Sequence, residues 1–177
     1  MLTSLLALAI GLWLGLSLAD FDQVLFFLRH RSAITHSALI PALALLFASR
    51  QNWLRMGLIG AFIGMAVHLS FDLFPLSWSG YALINVPLFG YLDATLSMLW
   101  ISLNITICFY LALLLFEEGY EVLSASIGLG VAFLLYAPGE TVFWSALFAL
   151  TVTLGFALLL PGSKASAVQM VKGRLKV

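Results

Sequence analysis

The sequence predicts an all-α integral membrane protein of about six transmembrane helices, five if the runs around Pro138-Gly139 form one segment, with both termini cytoplasmic. Three observations predict it. Hydrophobic residues make up 63% of the 177-residue chain and charged residues only 9%, with a mean hydropathy of +1.09. A soluble domain of this size carries about 25% charged residues, so the solvent for this much apolar surface is lipid. The apolar residues fall in long uninterrupted runs, and the basic residues cluster between some of these runs and not others.

A spanning helix needs roughly 20 mostly apolar residues. Candidate runs lie at 2–19, 33–49, 56–73, 93–116, 122–138 and 141–161, the second, third and fifth being short by that standard. Ser17-Leu18-Ala19 has the small-x-small form that signal peptidase cuts, but no Lys or Arg precedes the first run, and it is read as a retained helix. Gly11-x-x-x-Gly15 and Gly60-x-x-x-Gly64 have the spacing that lets helices approach closely in lipid; no strand precedes them, which argues against a phosphate-binding loop. The one cysteine, Cys108, lies inside an apolar run and reads as a packing residue. Zero formal net charge offers nothing to a nucleic acid. The chain reads as one transmembrane domain, 1–177, ending in a basic cytoplasmic tail, 162–177.

Orientation follows from basic residues in short loops. Arg50 and Arg55 follow the second run, and Lys164, Lys172, Arg174 and Lys176 follow the sixth. With six spans these positions share one side, expected to be cytoplasmic in a bacterial plasma membrane. Arg29 and Arg31, in the first loop, depart from the pattern.

That topology gathers the ionisable residues. Asp20 and Asp22 close the first run, His30 and Arg31 sit in the first loop, Thr35, His36 and Ser37 open the second run, and His68 and Asp72 end the third. All fall at the outward, periplasmic end, so all three histidines and three of the eight acids reach one membrane level. Ionisable groups near lipid are costly, which makes function the default reading. His68 and Asp72, four apart on a helix, leave the same face, a spacing that suits two ligands of one metal. Asp20 and Asp22 would point the same way in an extended segment. The free N–H groups where His36 and Ser37 start a helix favour an anion. Imidazole mixed with carboxylate suits zinc, iron or manganese better than calcium or copper(I).

At these residues the chain resembles the YdjM-like membrane-bound metal-dependent hydrolases of the inner membrane. The resemblance rests on Asp20-Phe21-Asp22, His30-Arg31, Thr35-His36-Ser37 and Gly64-x-x-x-His68-x-x-x-Asp72, and covers residues 20–74. The family pattern has His where this chain has Gln23, and one residue fewer between His-Arg and Thr-His-Ser.

The resemblance implies a hydrolase with a divalent metal, zinc first. Asp22, His36, His68 and Asp72 are the expected ligands. Asp20 is the candidate general base or bridging ligand, His30 the candidate acid or a further ligand, and Arg31 the candidate partner of an anionic oxygen such as phosphate. Thr35 and Ser37 are candidates to orient the imidazoles. The substrate would be an amphiphile or lipid-linked compound at the outer interface, with membrane lipids as partners. Two other readings stay open: a non-catalytic subunit of a larger membrane complex, for which Gln23 argues, and an ion or proton transporter, whose relay residues should lie nearer mid-membrane. The aromatic stretch 74–92 reads as an interfacial connector or as a lid over the site.

Overall fold

The computed structural model describes residues 1–25, 27–48, 51–139 and 142–162. It is an all-α membrane protein with six α-helices among these residues: α1 (Leu2–Leu18), α2 (Leu39–Ala48), α3 (Asn52–Asp72), α4 (Ala94–Leu115), α5 (Gly119–Tyr136) and α6 (Phe143–Leu159). Four helical stretches are long and apolar enough to cross a membrane: Leu2–Gln23, which adds a 3-10 turn to α1, and α3, α4 and α5; α6 is apolar but has 17 residues. Arg50 and the basic tail from Lys164 onward lie outside the described residues.

The run expected at 33–49 is helical only from Leu39. Ten residues rise about 15 Å, half of a ~30 Å hydrocarbon core. The cause is local. The Ser32 amide donates to Asp22 Oδ2, that of Ala33 to the Asn85 carbonyl, and that of Ala38 to Asn104 Oδ1. These bonds draw the chain before α2 into turns, because its donors are spent on partners distant in sequence.

The bundle is built around α3. Every other helix packs on it, and 16 of its 21 residues are buried. The other helices turn large apolar side chains outward, such as Trp13, Leu135 and Phe148, as a lipid solvent allows. The most enclosed helix carries Arg55, His68 and Asp72, whereas the other five helices together carry one charged residue, Glu121 of α5, and no histidine.

The α1–α3 contact uses both glycine pairs. A Cβ on Gly11 would strike the Gly57 carbonyl, and one on Gly15 the Ala61 carbonyl; on α3, Gly60 and Gly64 meet the carbonyls of Leu8 and Leu12 in the same way. With no hydrophobic effect between helices in lipid, such close backbone approach supplies the dispersion contact that holds them. Matching levels rise together along the two chains, so α1 and α3 run parallel, with α2 returning the chain between them.

The same end of the bundle receives the close of α1, the turns before α2, the close of α3 and the close of α5. The segment between α3 and α4 covers that end. It holds a two-residue antiparallel hairpin, β1 (Asn85–Val86) with β2 (Gly90–Tyr91), and β1 is tied to the turns before α2 by a parallel bridge between Ser32 and Asn85. The hairpin tip presents Leu88 and Phe89 fully outward, and the Arg29 guanidinium lies over the Tyr91 ring.

Candidate metal centre

His36, His68 and Asp72 converge. One ligand atom from each lies within 4.8 Å of the other two. His36 Nε2 is 3.1 Å from Asp72 Oδ2, and His68 Nε2 is 3.3 Å from the same oxygen. Two ligands on a tetrahedral ion with bonds of about 2.0–2.1 Å stand about 3.3 Å apart, so these separations suit three donors to one ion. Asp72 Oδ2 is buried without a hydrogen bond. Among the described residues only one other buried side-chain nitrogen or oxygen is in that condition, Asp22 Oδ1, in the same cluster.

The far nitrogen of each ring is tied off. His68 Nδ1 lies 2.7 Å from the Leu16 carbonyl. A carbonyl only accepts, so Nδ1 carries the proton and donates it there. Glycine packing of α1 on α3 brings that carbonyl within reach. The Tyr136 hydroxyl, at the close of α5, stands 3.1 Å from the same nitrogen. On His36, Nδ1 is 3.2 Å from Thr35 Oγ1, which donates at 3.0 Å to Asp22 Oδ2. Having given its one proton to a carboxylate, the hydroxyl accepts from His36 Nδ1. Both rings thus offer Nε2 to the centre. Metal-ligating imidazoles are held in this way, with the second nitrogen donating to a carbonyl, a carboxylate or a group beside one.

Burial alone would lower the basicity of His36. The Asp22 and Asp72 carboxylates on either side of the ring outweigh it and raise the pKa to about 9, which favours a proton on the ring at neutral pH in the metal-free protein. A metal ion would have to replace that proton.

The structure rearranges several expected roles. Asp22 is removed from the ligand set, because it stands behind His36, 3.3 Å from Nδ1, with Oδ2 also accepting from the Ser32 amide. Asp20, expected as general base or bridge, lies 3.9 Å from His68 Nδ1, on the ring edge opposite the centre, and its carboxylate accepts from Gln23. Gln23 therefore stands outside the convergent set. Arg31 is not left for a substrate anion: Nη2 donates to Asp72 Oδ1 and Nη1 to the Ala82 carbonyl, each at 2.9 Å. Its backbone lies in the left-handed region at φ 55°. That conformation costs a non-glycine residue about 1–3 kcal/mol and persists where its surroundings enforce it. Here the Asn85 amide, donating to the Arg31 carbonyl, helps do so.

His30 sits at the rim, partly exposed, with Nδ1 3.7 Å from Asp22 Oδ1. Its ring is edge-on to His36, which is edge-on to His68, so the three imidazoles form one row. Ser37 turns back into its own turn, donating to the Ile34 carbonyl and accepting from the Leu39 amide. The amides of His36, Ala38 and Leu39 are all spent, which removes the anion site expected at this helix start.

Trp100, Asn104 and Tyr136 belong to the cluster's support without having been expected there. Trp100 Nε1 donates to the His36 carbonyl, and Asn104 pins the turn through Ala38. Asn104 is marked in the sequence as a polar residue deep in an apolar run, and Tyr136 as a polar group closing a run at the same membrane level. Trp100 carries no such mark. No family model, no curated protein and no solved structure matches this chain.

Proposed function

We propose that this protein is a membrane-embedded metal-dependent hydrolase of the YdjM-like kind, acting on an amphiphile at the bilayer surface. The convergence of His36 Nε2, His68 Nε2 and Asp72 Oδ2, with both far nitrogens tied off, carries this reading. Three donors from the chain leave a coordination position open, as in catalytic rather than structural zinc sites. Zinc suits two imidazoles and a carboxylate best, with iron and manganese as alternatives. Such an ion supplies Lewis acidity and a water acidified to a pKa of about 7.

The chain's own residues do the rest. Asp22 acts through Thr35 to hold the His36 ring and its proton. Arg31 neutralises and orients Asp72. His30, at the rim, is the group positioned to give a proton to a departing oxygen. The basic residues expected on the opposite side favour an outward-facing site in a plasma membrane. Impermeant thiol labelling of His30→Cys from outside intact cells, in a Cys108→Ser background, tests this, and labelling of Tyr120→Cys alone would invert it.

For the activity, purified protein loaded with zinc is offered phosphomonoesters, phosphodiesters and phospholipids. Hydrolysis is expected, falling about a hundredfold or more in His68→Ala. Equal rates in wild type and variant on every ester would leave the chain a non-catalytic subunit.

A further inference from the structure

α2 packs on α3 but stands away from α1, leaving a groove of about 710 Å³ open to the side of the bundle. Leu6, Ile10, Leu14 and Leu18, each four residues after the last, form one wall along a single face of α1. Ile40 and Ala44 of α2 form the other, and Gly57 and Ala61 of α3 lie in the floor. Trp53 closes the end away from the histidines, and Thr3 is the one hydroxyl residue in the lining.

We propose that this groove holds the hydrocarbon tail of a lipid-like substrate, its head lying at the His36–His68–Asp72 cluster. The identity of the tail's owner as substrate rests on the hydrolase reading; the groove as a tail site does not. Two observations select a tail. From Leu6 to Leu18 the α1 wall rises about 18 Å, close to the ~15 Å of one leaflet of a ~30 Å core. The second is continuity: the groove ends at Leu18 and Ile40, two residues before Asp20 and four after His36. A tail lying in it has its polar head at the level of the cluster, and reaches that level from within the bilayer.

The test uses the full chain in vesicles of phosphatidylethanolamine and phosphatidylglycerol. Two phospholipid probes are added, one with a diazirine beside the glycerol ester and one with it at the methyl end of the chain. After photolysis the adducts are mapped by mass spectrometry. The ester-proximal probe is expected at Leu18 and Ile40 and the methyl-end probe at Leu6 and Trp53, in excess over the lipid-facing Leu134 and Leu135 of α5. Ala44→Phe, which pushes about two buried methylenes out of the groove, should lower groove labelling about tenfold and leave bound zinc unchanged.

Even labelling of all lipid-facing surfaces, a reversed order of the probes, or no effect of Ala44→Phe would overturn the proposal. So would groove cross-links to a second copy of the chain. Oriented labelling in a protein that binds no zinc would keep the tail site and remove the hydrolase. Zinc binding with even labelling would keep the metal centre and remove the tail site.

Discussion

The two ends of α3 both bury charge, and they do it in opposite ways. At one end Arg55 meets Glu121 through two parallel bonds of 2.9 and 2.6 Å, and also donates to the Leu115 carbonyl. Glu121 Oε2 further accepts from the amides of Glu117 and Glu118, which sets the turn between α4 and α5. Both carboxylate oxygens are satisfied. At the other end two imidazoles and a carboxylate crowd together, and the carboxylate oxygen they share has no hydrogen bond. A buried ionic group with every partner in place acts as a clamp. A buried cluster with converging donors and an unmet oxygen is arranged for something that is not a protein atom.

The largest effect expected from breaking this contrast is at the clamp. Arg55→Ala leaves Glu121 buried without its cation, and removal of one partner of a buried pair costs about 3–5 kcal/mol. Thermal unfolding of the purified protein should show that loss, while the zinc held per folded chain stays the same. Reduced zinc in the folded variant would mean that the two ends are not independent.

At the other end, Asp22→Asn keeps the shape of the side chain but weakens its hold on the proton relay through Thr35 to His36. Loss of such a supporting group costs about 10–100-fold in metal affinity. A competition titration against a zinc chelator measures it. An unchanged affinity would show that Asp22 does not position His36.

A smaller and graded effect is expected with pH. The folded pKa of His36 is raised to about 9 from 6.5. In the metal-free protein the imidazolium pairing is fully stabilising below about 6.5 and is lost as pH rises through about 9. Zinc competes with that proton, so its affinity should rise about tenfold per pH unit between about pH 6.5 and 8.5. Calorimetry in buffers of different ionisation enthalpy should record about one proton released from His36 per ion bound at neutral pH. A flat profile would mean that His36 is already unprotonated or does not bind the ion.

Much of the fold is legible in the sequence, since apolar runs in lipid have few alternatives to helix. The exception, residues 33–38, is instructive: Asp22, Asn85 and Asn104 take up amides that an apolar composition would assign to helix. The gathering of His30, His36, His68 and Asp72 at one end is also legible, because helix count and the four-residue spacing fix the level and face of these side chains. What each of them touches is not. The partner of His68 is a backbone carbonyl of α1, delivered by the glycine contact, and no spacing marks it. Arg31 reads as a cation free for a ligand until its left-handed backbone and the Ala82 carbonyl are in view. Asp22 and Asp72 look equivalent in sequence, and only the side of His36 each faces separates a supporting group from a donor.

The most direct test is the metal content of wild type and Asp72→Asn after gentle purification and exposure to excess zinc. About one zinc per chain is expected in the wild type and a trace in the variant, both remaining folded by circular dichroism. A wild type that holds no more than a trace, or an Asp72→Asn protein that holds as much as the wild type, would contradict a metal centre at His36, His68 and Asp72.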